Sequence, residues 1–241
     1  VVKAKVTGSD YKAFYPQLAS MTDPINISLK GNSRYGDFNL STLHIQVPDS
    51  IFDMGISGTL WLDSTFNITG CRNALANATF SHRMPQWLKT QLSGFRLSLP
   101  AQMESLGDGS LNANLDNHHG ITSSKLELVS EAGSVICDIS GLKNTYTADV
   151  TASDVNLRAI TGNKDLGNCT LIAHSELKKE DKGLSGRFNG RIGSLRYKRY
   201  NYRGVTVNGS FNPGLILAGL NFADANGALN LNAGIGTGSI P

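Results

Sequence analysis

The chain has 241 residues and a formal net charge of +3; 40% of its residues are hydrophobic and only 17% are charged. Gly, Asn, Ser and Thr fill the remainder, a mixture that suits neither a disordered tail nor a dense helical core. The length suits one large all-β domain or two small ones, and no apolar stretch reaches the ~18 residues of a membrane-spanning helix.

Apolar and polar residues alternate with a period of two along most of the chain, beginning at Val2. This alternation predicts strands with one apolar and one hydrophilic face, as in an antiparallel sheet with one wet side. The clearest run covers residues 52–62, where every second position is apolar or glycine. Further strands are predicted around residues 66–70, 95–99, 111–115, 126–128, 135–139, 146–150, 184–192 and 215–219.

A second regularity is an apolar residue followed by one spacer and then glycine. Glycine inside a strand pattern marks a bend, a bulge or a close approach of two backbones. The number of such sites predicts an all-β fold made of one elongated, strongly curved, mostly antiparallel sheet. The glycines concerned are Gly31, Gly58, Gly70, Gly94, Gly141, Gly186, Gly209 and Gly219.

Two segments break the alternation, so we expect one or two short helices. Residues 84–92 carry Pro85 near the start and apolar residues at helical spacing, which predicts an amphipathic helix. Residues 153–162 are compatible with a helical turn that has Ser153 or Asp154 as its N-cap.

The domain prediction is one continuous β-groove over residues 1–241, with any sub-boundary at residues 84–94. Strand-like sequence begins at the first residue, and no basic-then-apolar signal segment precedes it. We therefore interpret the chain as a fragment of a longer protein.

The three cysteines, Cys71, Cys137 and Cys169, lie far apart, with no CxxC pair and no histidine at ligand spacing. This spacing argues against a zinc site and leaves at least one thiol unpaired. We expect the cysteines to serve as small buried residues, and a single disulfide between two of them is the alternative.

Between Arg187 and Arg203 the sequence is basic and rich in tyrosine, with no acidic residue. A hairpin with a solvated outer face explains this stretch most simply; anionic lipid headgroups come next and single-stranded nucleic acid last. Because the rest of the chain is not strongly basic, we expect no nucleic-acid partner. The candidate headgroup contacts are Arg196, Lys198, Arg199 and Arg203.

No sequence motif for a catalytic nucleophile, a catalytic metal, a phosphate-binding loop or a calcium loop is found. The acidic residues are scattered, and none stands out as half of a carboxylate pair. We expect a non-enzymatic protein without catalytic residues, metal or cofactor.

The organisation resembles the AsmA-like repeats of bacterial envelope proteins, in which an apolar-Ser-Gly unit leads into a strand, as at Ile56–Leu62 and Leu184–Phe188. The C-terminal half resembles the TamB proteins of the Bacteroides type, the inner-membrane component of the translocation and assembly module. The segments that carry this resemblance are Ala152–Leu157, Asp165–Gly167, Gly183–Ile192, Tyr197–Tyr202 and Asn221–Leu231.

The resemblance implies a periplasmic rod of curled sheet, a β-taco that is open along one side and apolar inside. It implies that phospholipid moves between the inner and outer membranes, or that outer-membrane proteins are assembled. It also implies an inner-membrane anchor outside this chain, and an outer-membrane Omp85-type barrel as a partner of regions outside it. Where the family would more often carry Asn-Gly at the hairpin tip, this chain has Lys198-Arg199.

The apolar phase of the strands supplies the candidate groove lining, because a curved sheet that never closes leaves this face for acyl chains to cover. The candidate residues are Phe52, Met54, Ile56, Leu60, Leu62, Phe66, Ile68, Phe95, Leu97, Leu99, Leu111, Leu115, Val135, Ile139, Leu184, Phe188, Ile192, Leu215 and Leu217.

Two other functions are open on the sequence. One is a surface or assembly scaffold that binds strands by addition to a sheet edge. The other is a β-helix enzyme acting on polysaccharide, which the irregular glycine intervals disfavour.

Overall fold

The computed structural model describes residues 1–34, 37–63, 65, 67–95, 99, 101–224 and 227–236. Strands make up most of this part of the chain, and adjacent strands of known register are antiparallel. The strands are β1 (Val2–Val6), β2 (Ile25–Arg34), β3 (Asp37–Val47), β4 (Phe52–Leu62), β5 (Ile68–Phe80), β6 (Gly109–His118), β7 (Ile121–Ser130), β8 (Gly133–Leu142), β9 (Thr145–Asn156), β10 (Leu166–Glu180), β11 (Gly183–Tyr197), β12 (Tyr200–Asn212), β13 (Leu215–Asp224) and β14 (Gly227–Gly236).

The hydrogen-bonded order of the strands follows the chain order from β1 to β14, so the described strands form one sheet that does not close on itself. This confirms the all-β, antiparallel prediction. The connections between neighbouring strands range from two-residue turns, as between β11 and β12, to the segments that carry the helices.

Three α-helices interrupt the strands: α1 (Gly8–Tyr11), α2 (Met84–Gln91) and α3 (Leu157–Thr161). Short 3-10 turns cover Pro16–Ser20, Ser93–Phe95 and Ala101–Ser105. The predicted helix at residues 84–92 is confirmed as α2, which has Pro85 in its first turn.

The helical turn predicted at residues 153–162 is present, but the prediction of its N-cap residue is wrong. Ser153 and Asp154 still belong to β9, and Asn156 is the cap, with its side chain accepting a hydrogen bond from the Ala159 backbone N–H at 3.1 Å. Asp154 instead adopts a left-handed conformation with φ of 53°, at an irregularity in the pairing of β9 with β10. Strand β9, which contains this bulge, therefore ends at Asn156, two residues beyond the predicted cap Asp154.

Neither α1 nor the 3-10 turn that follows it was predicted. The available signal was Thr7 with Asp10 three residues later, since the Asp10 carboxylate accepts hydrogen bonds from the Thr7 backbone N–H and hydroxyl at 2.8 and 2.7 Å. These two bonds lower the pKa of Asp10, the hydroxyl having the larger effect. They form one side of a capping box.

The chain divides into two compact units. Unit 1 comprises residues 1–118 and 128–132, and unit 2 comprises residues 119–127 and 133–241. Helix α2, where the sequence placed a sub-boundary, lies within unit 1.

Candidate functional site

In unit 1 the strand register aligns the apolar residues of successive strands into rows across one face of the sheet. One row runs through Val2, Leu29, Leu43, Ile56, Ala76 and Ala113. The next runs through Ala4, Ile27, Ile45, Met54, Ala78 and Leu111. The residues between them form a polar row on the opposite face: Lys3, Ser28, His44, Gly55, Asn77 and Asn112.

Helix α2 covers one end of this apolar face. Trp87 and Met84 are buried together with Val47 and Ile51, and the side chains packed against this cluster include Phe52 at the start of β4. The Trp87 indole N–H donates to Asp23 at 2.8 Å, so the helix is held by a polar contact as well as by apolar packing. Part of the predicted groove lining in unit 1 is therefore ordinary core.

Unit 2 has a longer set of apolar rows, which extends over β8 to β14. The central row contains Cys137, Val150, Ala173, Gly190, Val207, Leu220 and Leu231. Its neighbour contains Ile139, Ala148, Ser175, Phe188, Gly209, Ala218 and Ala233, and the next row on the same face contains Gly141, Tyr146, Leu177, Gly186, Phe211, Ile216 and Ile235. The intervening polar row contains Asp138, Asp149, His174, Asn189, Asn208, Gly219 and Asn232.

The extensive contacts within the described part of unit 2 are those of each strand with its neighbours and of α3 with β10. Leu231 and Ile235 are more than half exposed. In unit 2, α3 contacts β10, whereas the hydrophobic cluster that buries helix residues together with strand and loop residues lies in unit 1, around α2.

Aromatic rings partly cover the apolar face by lying over glycines of the adjacent strand. A Cβ atom placed on Gly209 would lie 2.5 Å from Cζ of Phe188, and one on Gly186 would lie 3.2 Å from Cζ of Phe211. Tyr146 lies over Gly141 in the same way. The close-approach interpretation of the apolar-x-Gly repeat therefore holds at these sites, because the glycine leaves the space that the ring occupies.

The repeat has a different meaning at Gly58. There φ is 139°, and the register shifts on both sides of β4. Glycine is favoured at this position by its backbone conformation, and the neighbouring strands are bulged.

Thirteen of the predicted lining residues lie on strands, either at the apolar positions of the alternation or paired with residues at those positions. In unit 1 these are Phe52, Met54, Ile56, Leu60, Leu62, Ile68, Leu111 and Leu115. In unit 2 they are Val135, Ile139, Leu184, Phe188 and Ile192. Phe66 and Leu97 lie outside the described residues.

Leu215 and Leu217 are on the wrong face for this site. Leu217 pairs with Ser210, which pairs with Arg187, so it belongs to a polar row and is 47% exposed. The apolar phase of β13 is that of Ile216 and its alternate neighbours. Because leucine and isoleucine follow one another here, the sequence alone did not fix the phase of the strand.

Phe95 and Leu99 are not on strands. The chain continues from α2 into a 3-10 turn in which the Phe95 N–H bonds to the Leu92 carbonyl at 3.0 Å. This turn packs at Gly94 against the backbone of Gln17. Apolar alternation over only three positions was not sufficient evidence for a strand.

The sequence analysis missed further apolar residues: small residues dilute the pattern in unit 2, whereas β2 and β3 of unit 1 alternate clearly but were not included. The register adds Val150, Ala173, Leu177, Val207, Phe211, Ile216, Leu220 and Leu231 in unit 2, and Leu29, Leu43, Ile27 and Ile45 in unit 1. Extending the period-2 phase through each small residue would have identified most of them.

The four candidate headgroup contacts surround the β11–β12 hairpin. Lys198 and Arg199 form its two-residue tip, as predicted, and Arg196 and Arg203 lie on its strands. All four are exposed, and none forms an ion pair with a described residue. The Lys198 ammonium lies 5.5 Å from the centroid of the Tyr197 ring, within cation–π range.

A cavity of about 910 Å³ lies over β10 to β14. Its lining mixes polar with apolar and small residues, and its polar part includes Asn189, Asn208, Asn232 and the Glu176–Arg187 ion pair. Phe188 and Leu217 are the two predicted lining residues that border it. Most of the predicted apolar lining therefore does not border this cavity.

Within the described residues no group of three or more His, Cys, Asp or Glu side chains is placed to hold a metal ion. All three cysteines are free, and burial raises the pKa of the thiols of Cys71, Cys137 and Cys169. Their thiolate forms are accordingly disfavoured.

No family model matches the chain, and neither a curated protein nor a solved structure matches it. Among the described residues, none of the helices has the length and apolar character needed to cross a bilayer.

Proposed function

We propose that the apolar face of this sheet binds the acyl chains of phospholipids. The observation that carries the proposal is the set of aligned apolar rows in unit 2, in which Leu231 and Ile235 are more than half exposed. Apolar surface on this scale needs a cover, and lipid chains are a cover that requires no specific side-chain geometry.

The energetics favour such an occupant. Each methylene group removed from water contributes about 0.8 kcal/mol. A phospholipid with roughly thirty chain methylenes would gain on the order of 20 kcal/mol from complete transfer out of water, so even partial coverage is favourable. The rings of Phe188 and Phe211, which lie over Gly209 and Gly186, contribute apolar surface to this face, along which a chain can slide without a fixed pocket.

The basic hairpin supplies a complementary contact for the polar end of the lipid. Arg196, Lys198, Arg199 and Arg203 carry charges that no described carboxylate neutralises by ion pairing. Phosphate oxygens accept hydrogen bonds from such groups, and anionic headgroups are attracted to them.

A decisive experiment uses two adjacent residues of β13 that point to opposite faces. The photoreactive residue p-benzoylphenylalanine replaces Ile216 on the apolar face or Leu217 on the polar face. After irradiation with phosphatidylethanolamine vesicles, we expect mass spectrometry to find lipid cross-linked at position 216 and little or none at position 217.

Equal cross-linking at the two positions, or none at position 216, would contradict acyl-chain binding by this face. A second substitution, Ile56→Lys, places a charge in the apolar row of unit 1, where we expect less lipid to copurify. Ser57→Lys is its matched control, because Ser57 is the next residue of β4 and has the opposite phase.

In the cell, we propose that this binding serves phospholipid transfer between the inner and outer membranes, or outer-membrane protein assembly, in the periplasm. The resemblance to the AsmA-like and TamB proteins supports this wider role. An Omp85-type barrel as partner, and an inner-membrane anchor outside the chain, belong to the same proposal.

Strand addition at a sheet edge is a second candidate function, and β14 favours it. This strand carries no charged residue and no proline, whereas β1 at the other end of the strand order carries Lys3 and Lys5. Lysines on an edge strand hinder pairing with another chain. If β14 recruits strands, Asn230→Lys with Asn232→Lys should abolish binding of an unfolded outer-membrane protein while leaving lipid cross-linking at position 216 intact.

A further inference from the structure

The connection between β1 and β2 exposes three aromatic side chains that neither apolar face uses. In residues 7–24, hereafter the aromatic loop, Phe14 is 80% exposed, Tyr15 is 59% exposed and Tyr11 is 40% exposed. Exposed apolar clusters of this kind mark surfaces that bind a partner or a membrane.

The base of the aromatic loop is firmly held. The Gly8 N–H donates to the Met21 carbonyl at 2.8 Å, which closes the loop, and Met21 itself is buried. Gln91, at the end of α2, is buried and its side-chain oxygen accepts hydrogen bonds from the N–H groups of Thr22 at 2.6 Å and Asp23 at 3.1 Å.

This construction separates an ordered base from an exposed tip. Hydrogen bonds to Gln91 position the segment that follows the rings, and the bond from Gly8 to Met21 ties the segment before the rings to it, yet the rings themselves are exposed. A loop whose aromatic residues served only folding would place them in its base, where Met21 and Leu18 lie. The exposure of the tip therefore points to a ligand.

The chemistry of the tip fits a lipid bilayer. Two tyrosines, each with an apolar ring and a polar hydroxyl, flank the purely apolar Phe14, an arrangement suited to the boundary between headgroups and acyl chains. The nearby charges are mainly basic: Lys3, Lys5 and Lys12 are exposed and outnumber the one carboxylate among them, that of Asp10. This balance complements anionic headgroups.

A protein partner fits the tip less well. A stable protein interface buries about 800 Å² on each side, through roughly twenty residues. Three rings within five residues offer much less contact area, whereas insertion into a bilayer needs only the rings themselves.

We propose that the aromatic loop inserts Tyr11, Phe14 and Tyr15 into the interfacial region of an anionic bilayer. This site is distinct from the acyl-chain face, because its residues lie outside the strands. Its test and the cross-linking test at position 216 can fail independently.

The experiment measures partitioning of the full chain onto large unilamellar vesicles, either of phosphatidylcholine alone or of phosphatidylcholine with phosphatidylglycerol. We expect binding to the anionic vesicles and at least a tenfold lower partition coefficient for Phe14→Ser with Tyr15→Ser. Ile172→Ser is the matched control, because Ile172 is 62% exposed in β10 but lies outside the loop. Its partitioning should equal that of the unsubstituted chain.

A second variant reports insertion directly. In Phe14→Trp the added indole should shift its emission to the blue and be quenched by brominated acyl chains, after subtraction of the signal from Trp61 and Trp87. The proposal is overturned if vesicles change neither the emission wavelength nor the quenching of the added indole. It is equally overturned if Phe14→Ser with Tyr15→Ser binds vesicles as tightly as the unsubstituted chain. It is also overturned if sedimentation in the absence of lipid shows self-association that these substitutions abolish, since the loop would then be a protein contact.

Discussion

The two units contain the same alternation of apolar and polar residues but treat their apolar faces differently. In unit 1, α2 buries Trp87 and Met84 against Val47 and Ile51, at one end of the face. In unit 2, the extensive contacts of the described strands are with their sheet neighbours, apart from the contact of α3 with β10. Binary patterning thus specifies a two-faced sheet, and a separate segment of sequence decides whether one face gains a helical cover.

Aromatic rings over glycines occur in both units, as where Phe80 lies over Gly109 in unit 1. In unit 2, Phe188 lies over Gly209 and Phe211 over Gly186, so each ring gains contacts from the adjacent strand. Ring-over-glycine contacts of this kind stabilise a sheet from within one face. The face remains apolar, which is the property that the proposed lipid binding requires.

The largest effect should come from removing the helical cover of unit 1. We expect Trp87→Ala to destabilise unit 1 by about 3–5 kcal/mol, because a buried indole and its hydrogen bond to Asp23 are both lost. Hydrogen exchange followed by mass spectrometry should show faster exchange in β3 and β4 than in β10 and β11.

Gln86→Ala is the matched control for this comparison, because Gln86 is exposed on the same helix. It should leave the exchange of both units unchanged. Uniform acceleration of exchange across all strands in Trp87→Ala would show that the helix is not a local cover of unit 1.

A smaller effect is expected from disturbing the contacts between aromatic rings and glycines in unit 2. The methyl group in Gly209→Ala would lie 2.5 Å from the Phe188 ring and 2.2 Å from the Leu217 carbonyl oxygen, so the backbone must shift. Overpacking of this kind costs about 1–3 kcal/mol. Denaturant unfolding should detect the loss.

Gly193→Ala is the control in the same strand pair, since its nearest neighbour would be 3.7 Å away, an ordinary contact. Its stability should lie within about 0.5 kcal/mol of the unsubstituted chain. If the two variants were equally stable, the aromatic rings would not depend on the glycines beneath them.

These contrasts also separate what the sequence could predict from what it could not. Strand β4 and helix α2 follow from local patterns that are long or well marked, in residues 52–62 and at Pro85. The phase of β13 does not, because Leu215, Ile216 and Leu217 are all apolar and only pairing with β12 and β14 selects Ile216. Register is a property of several strands together, so one strand's sequence underdetermines it.

The candidate site was less predictable than the fold for the same reason. Ala173 and Gly190 are small and ambiguous in sequence, yet they continue a row that links Val150 to Val207. The helical cover in unit 1 depends on contacts between segments far apart in sequence, such as the bond from Trp87 to Asp23. Such long-range pairs leave no local periodic signal.

A third prediction concerns the hydrogen bonds by which Gln91 of α2 holds the aromatic loop of unit 1. Gln91→Ala removes the acceptor for the part-buried N–H groups of Thr22 and Asp23, and the loss of a hydrogen bond of this type costs about 0.5–1.5 kcal/mol. Amide exchange at Thr22 and Asp23 should accelerate before exchange in β3 or β4 does. Lys89→Ala, at an exposed position of the same helix, should leave these amides unchanged, and equal protection in both variants would show that Gln91 does not anchor the loop.

The smallest effect compares one loop of each unit under acid. In unit 1, Asp63 accepts hydrogen bonds from the Thr65 hydroxyl at 2.7 Å and the Asn67 N–H at 2.9 Å, and these bonds, the hydroxyl's first, lower the pKa of Asp63 from 3.8 to about 2. In unit 2, Asn212 performs a similar task with a neutral amide, accepting from the Gly214 N–H at 2.9 Å.

Because the pKa of Asp63 is depressed in the folded chain, its contribution to the loop is complete above pH 3.8 and is lost as the pH falls through about 2. The turn at Asn212 has no carboxylate to protonate and should be unaffected over the same range. Carbon-detected NMR titration should give a midpoint near 2 for Asp63, and amide exchange should rise at Thr65 and Asn67 but not at Gly214. Asp63→Asn should make the first loop as insensitive to acid as the second, so a response to pH that persisted in this variant would assign the effect to another group.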